Sequence, residues 1–91
     1  MAKDLKYGNV TMEHGSVGED EPVFTFRAQD ILLPKVLEFY LGLALAAGSP
    51  AHHCDAICAS QEAVEKWQKE HADQVRVPNS NEYIERITKE I

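Results

Sequence analysis

Between Pro34 and Gly48 almost every residue is apolar: Val36, Leu37, Phe39, Tyr40, Leu41, Leu43, Ala44, Leu45, Ala46 and Ala47, broken only by Lys35, Glu38 and Gly42. Pro34 suits a first helical position, where its missing N–H costs nothing. Gly48 suits the left-handed residue that ends a helix. The spacing predicts a helix from Pro34 to Ala47 that is apolar on nearly every side. Such a helix is ordinarily buried all round, and a chain of 91 residues has little protein with which to cover it. A homo-oligomer, dimer or larger, is therefore expected.

A second helix follows directly. Ser49 serves as its cap and Pro50 as its first residue, and it is expected to run to about His71. Ile57, Val64, Trp67 and His71 form its inner stripe, while Glu62, Glu65, Lys66, Lys69 and Glu70 form a solvated face. The short Gly48-Ser49 link makes the two helices an antiparallel hairpin. Beyond it, Gln74 to Pro78 reads as extended, since Pro78 drives Val77 away from helical angles. Asn79 and Glu82 have capping-box spacing before a last amphipathic helix with Tyr83, Ile84, Ile87 and Ile91 on one side.

The N-terminal part is different in kind. Residues 1–22 read as an arm containing Gly8, Gly15, Gly18 and the acidic run Glu19-Asp20-Glu21. A short hairpin about Gly8-Asn9 and a mobile N-terminus are both open readings. From Val23 to Asp30 the residues suit a strand, with Phe24, Phe26 and Ala28 on an inner face and Val23, Thr25, Arg27 and Gln29 on the other. Buried backbone groups need partners, so this strand must pair with the arm, with Val75 to Val77, or with a second chain. The expected fold class is α+β and mainly helical: short N-terminal strands, an antiparallel helix hairpin and a C-terminal helix. Residues 23–91 form one small domain, with Phe24, Phe26, Leu37, Leu41, Ile57, Val64 and Trp67 in its core.

Charge and chemistry narrow the function. Nine Lys and Arg against fifteen Asp and Glu give a net charge of −6, which disfavours binding to nucleic acid. The longest apolar segment, Val36 to Ala47, falls short of the roughly 20 residues of a membrane span. No apolar stretch follows the charged Met1 to Lys6 as it would in a signal peptide. A soluble cytoplasmic protein without membrane contact is expected. Cys54 and Cys58, four apart on a helix, lack disulfide geometry and are expected as free thiols packed in the hairpin. His52, His53, Cys54, Asp55 and Cys58 suggest a metal site, but the histidines point away from the cysteine face and no second ligand pair follows. Neither metal nor other cofactor is expected. No activated cysteine and no phosphate-binding glycine loop is present, so the chain is not read as an enzyme.

The polar face of the strand carries the most chemistry. Arg27 can fork onto carboxylate or phosphate, and Gln29 can read an amide or a base edge. Asp30 is placed to cap the turn into the first helix. Two readings of Arg27 stay open: a surface pair with a local carboxylate, and a ligand pocket where two chains meet. In the second, Tyr7, His52, His53 and Arg76 add stacking and charge.

The run Glu21-Pro22-Val23-Phe24-Thr25-Phe26-Arg27-Ala28-Gln29-Asp30, with Leu33-Pro34, Trp67 and Val77-Pro78, resembles small proteins of bacteriophages and prophages that share a P-x-F-x-x-R-A-Q-D motif. The resemblance spans residues 21–78 and implies a phage accessory protein acting in the bacterial host cytoplasm. It implies no site residue. Three functions then compete. The first is an oligomer that sequesters a nucleotide-type host-defence signal through Arg27, Arg76 and Tyr7. The second is an acidic inhibitor of a host defence complex, of the anti-CRISPR kind, whose host-protein partner is met by charge that mimics phosphates. The third is a structural or assembly helper.

Overall fold

A computed structural model describes residues 2–78, of which 2–25 belong to one compact unit and 26–78 to another. Val23, Phe24 and Thr25 thus group with the arm. Order along the chain is β1 (Ala2–Asp4), β2 (Gly8–Val10), β3 (Pro22–Val23), α1 (Leu33–Ala46), α2 (Ala51–Glu70) and a single 3-10 turn over Ala72–Gln74. The architecture is mainly helical, a helix hairpin preceded by a short sheet. The expected helix with Tyr83, Ile84, Ile87 and Ile91 lies outside the described residues, as does the Asn79–Glu82 cap.

The first unit is a three-stranded sheet in the order β2-β1-β3. β1 and β2 form an antiparallel hairpin with Ala2 opposite Val10 and Asp4 opposite Gly8. The turn is Leu5-Lys6-Tyr7 rather than Gly8-Asn9, because the Asp4 carboxylate accepts the Lys6 and Tyr7 amides at 2.8 and 2.9 Å and folds the chain back one step earlier. Gly8, at φ +90°, opens β2 instead of centring the turn. β3 joins parallel to β1, with Lys3 opposite Pro22 and Asp4 opposite Val23. Pro22 lacks an N–H, which an edge strand tolerates.

The strand expected over Val23 to Asp30 is much shorter. The ladder stops at Val23, because the Thr25 amide donates to Asp4 Oδ2 at 2.5 Å rather than to a strand carbonyl. Farther on, the Asp30 amide turns back to the Arg27 carbonyl at 2.9 Å. The alternating inner face is lost with the ladder. Phe24 is 78% exposed and Phe26 40%, so neither belongs to the core.

The second unit is built on α1 and α2. Asp30 introduces α1: its Oδ1 accepts the Leu32 amide at 2.8 Å and its carbonyl the Leu33 amide at 3.1 Å. Pro34 follows within the first turn. At the other end Gly48 adopts φ +79°, its amide donates to the Leu45 carbonyl at 3.2 Å, and the Ser49 amide donates to Ala44 at 3.0 Å. This pair of bonds closes the helix by a Schellman motif. Ser49 does not cap α2. Pro50 holds that position in extended conformation (φ −64°, ψ 153°), and its carbonyl accepts the His53 and Cys54 amides at 3.0 and 3.2 Å. Only four residues, 47–50, separate the helices, which forces them together.

The hairpin core is small: Ala44, Cys54 and Ile57 are buried, with Leu37 and Leu41 packed against them. Leu33 is buried near the start of α1. Cys58 is exposed, contrary to the expectation that both thiols pack in the hairpin. At 100° per residue, Cys58 is turned about 40° from Cys54, enough to carry it off this narrow core. Val64 and Trp67 are half-buried, because the short α1 does not cover the later turns of α2.

Candidate functional site

The C-terminal end of α2 holds an extended edge in place. Trp67 and His71 stack with ring centroids 4.3 Å apart, and His71 Nδ1 lies 2.9 Å from the Trp67 carbonyl. One residue along, the Gln68 side-chain amide donates to the carbonyls of Ala28 and Asp30 at 3.0 and 2.9 Å. The chain then turns through Ala72–Gln74 and runs beside the same segment. The Arg76 amide donates to the Gln29 carbonyl at 3.0 Å and the Ile31 amide to the Arg76 carbonyl at 3.1 Å, making a parallel bridge between Asp30 and Arg76. The sequence leaves strand 23–30 three possible partners: the arm, residues 75–77 or another chain. The segment divides between the first two: β3 on the arm, Asp30 on Arg76.

Two expected site residues meet here, and a third lies two residues from one of them. Arg76 Nη2 donates to Gln29 Oε1 at 3.0 Å, which orients the guanidinium. Arg27 is exposed at the head of the Arg27–Asp30 turn. Among the described residues an ion pair joins Lys35 and Glu38, at 3.5 Å on the surface of α1, and it involves neither arginine. The local carboxylate partner considered for Arg27 is thus absent among the described residues.

The remaining site residues lie elsewhere. His52 and His53 are exposed in the first turn of α2. At 1.5 Å per residue, His53 stands about 22 Å along the helix axis from Gln68, so one chain does not bring its own histidines to the arginine edge. His53 Nε2 instead lies 3.4 Å from the Tyr40 hydroxyl. Tyr7 belongs to the first unit, with Lys6 Nζ 5.4 Å from its ring centroid. No group of three His, Cys, Asp or Glu among the described residues is arranged to hold a metal ion.

Two residues that organise these units escaped the sequence reading. Gln68 is four residues from Val64 on the inner stripe of α2, and a polar side chain on an apolar stripe is the signal that it has buried carbonyls to satisfy. Asp4 is buried and accepts three backbone amides. Its burial pushes the carboxyl up, but the hydrogen bonds from Tyr7, Lys6 and Thr25 outweigh that and hold it below its ordinary value.

A second feature is the outward face of α1. Phe39, Tyr40, Leu43 and Leu45 are exposed, and Leu32, Lys35, Val36, Phe39, Tyr40 and Leu43 line an open groove along it. No helix among the described residues is long and apolar enough to cross a membrane. No family model, curated protein or solved structure matches the chain.

Proposed function

We propose that this chain is a non-enzymatic binding protein that holds an anionic, nucleotide-type ligand and works as a homo-oligomer. One observation carries the reading: Arg76 pairs with the Gln29–Ile31 segment, Arg27 opens the turn that leads into that segment, and no described carboxylate neutralises either arginine in a chain of net charge −6. An acidic protein that leaves two guanidinium groups available has a use for them. Arginine forks match phosphate oxygens, and the Gln29 amide beside them can recognise a base edge. Stacking on the base falls to His52 and His53 of a neighbouring copy, since a chain's own histidines are too far along α2. The resemblance of residues 21–78 to bacteriophage proteins supports a phage accessory role in the bacterial cytoplasm, with a host-defence nucleotide signal as the ligand held.

The net charge of −6 favours one other reading, an acidic inhibitor that occupies the nucleic-acid site of a host defence protein. A thermal-shift screen of cyclic and linear nucleotides separates the two. A ligand that binds only the native state raises the melting temperature, by an amount that grows with its concentration. A rise with at least one nucleotide is expected. No rise across the panel, with capture of a host protein by the immobilised chain, supports the inhibitor instead.

A further inference from the structure

The groove on α1 has a symmetry that bears on what covers it. Its lining residues Leu32, Lys35, Val36, Phe39, Tyr40 and Leu43 follow one another at steps of three, one, three, one and three. That series reads the same in both directions. A second α1 laid antiparallel about a two-fold axis level with Leu37 and Glu38 therefore sets Leu32 opposite the partner's Leu43, Val36 opposite the partner's Phe39, and Lys35 opposite the partner's Tyr40. Apolar meets apolar at two levels. At the third, a lysine ammonium meets an aromatic ring, an attractive pairing.

We propose that this face is the isologous interface of a homodimer, with two α1 helices packed antiparallel in that register; the proposal rests on the reading that the chain works as a homo-oligomer. Charge supports a second copy. The chain carries −6 overall, yet Lys35 and Glu38 neutralise each other at 3.5 Å beside the groove, so two copies meet here without like-charge repulsion. A small ligand fits the groove less well, because small-molecule sites are concave and need converging polar groups. This groove is open and its lining is almost wholly apolar. Phe39, 70% exposed, and Tyr40, fixed against His53, supply the rigid aromatic anchors that dominate protein interfaces.

The test uses the full chain in light scattering coupled to size exclusion, with circular dichroism as the check on folding. Wild-type protein should have twice the chain mass of 10.2 kDa, and Phe39→Glu should return to a single chain with its helical signal unchanged. The register is tested by oxidation in a Cys58→Ser background. Leu32→Cys combined with Leu43→Cys should cross-link two chains, whereas Leu32→Cys alone should not, its two copies lying about 16 Å apart along the axis. Wild type at single-chain mass overturns both the dimer and the oligomeric reading. An oligomer that survives Phe39→Glu overturns this interface and leaves self-association standing. Equal cross-linking by Leu32→Cys alone overturns the antiparallel register.

Discussion

Gln68 fastens the edge on which Asp30 lies: its side-chain nitrogen is 2.9 Å from the Asp30 carbonyl and 3.0 Å from that of Ala28. One side chain thus satisfies two carbonyls of a segment that has little regular ladder of its own. Both contacts span close to forty residues of sequence, so they tie the Arg27–Asp30 turn to the end of α2.

Removing that side chain should loosen the edge more than the fold. Gln68→Ala leaves two part-buried carbonyls short of a donor, a loss of roughly 1–3 kcal/mol. Gln68→Glu should be worse, since a carboxylate faces two carbonyl oxygens. Hydrogen exchange checks this directly: the Asp30, Ile31 and Arg76 amides should lose protection while those in the middle of α1 keep theirs.

Acid should release the first unit through Asp4. Its carboxyl is held below the ordinary value by the Tyr7, Lys6 and Thr25 amides acting against burial. A depressed folded-state value stabilises above the unfolded value of about 3.9, and that stabilisation is lost as pH falls through the lower, folded-state value. Asp4→Asn should weaken the β1–β2 turn at neutral pH by roughly 1–3 kcal/mol and abolish this part of the acid transition. Amide chemical shifts of Tyr7 and Thr25 followed from pH 6 downward give the readout. An unchanged acid transition in Asp4→Asn contradicts the assignment.

Trp67 offers a measure of how incomplete the core is. A fully buried Trp replaced by Ala costs about 3–5 kcal/mol. Trp67 is half-buried and has one face on the His71 ring, so Trp67→Ala should cost less, about 2 kcal/mol. Urea denaturation gives the number, and a loss of 3 kcal/mol or more means the indole is more completely enclosed than its exposure indicates.

The helix hairpin was legible because its signals are local. Pro34, Gly48 and Pro50 punctuate the chain within a residue or two of the observed ends, and the stripe from Ile57 to His71 reports the inward face of α2 directly. The strand from Val23 was not legible in its length. β-branched and aromatic residues report that a pleated conformation suits them, not where a partner is to be found. The Thr25 amide is taken by a side chain 21 residues earlier, and no pattern around Thr25 records that. The same holds for the site. Arg27, Gln29 and Arg76 stood out by their chemistry, and two of them do make contact, but the distance of His52 and His53 follows from the length of α2 rather than from residue type.

The central claim is that the arginine edge holds an anionic nucleotide, and calorimetric titration of cyclic and linear nucleotides into wild type and Arg27→Ala tests it most directly. Among the described residues the exposed Arg27 side chain makes no hydrogen bond or ion pair, so Arg27→Ala should keep the wild-type mass and melting temperature. A lost charge-assisted contact contributes roughly 1.5–3 kcal/mol, or about tenfold to a hundredfold in affinity. The account predicts saturable binding to wild type and a Kd for Arg27→Ala weaker by that factor. Absence of heat with every nucleotide, or binding that Arg27→Ala leaves untouched, contradicts it.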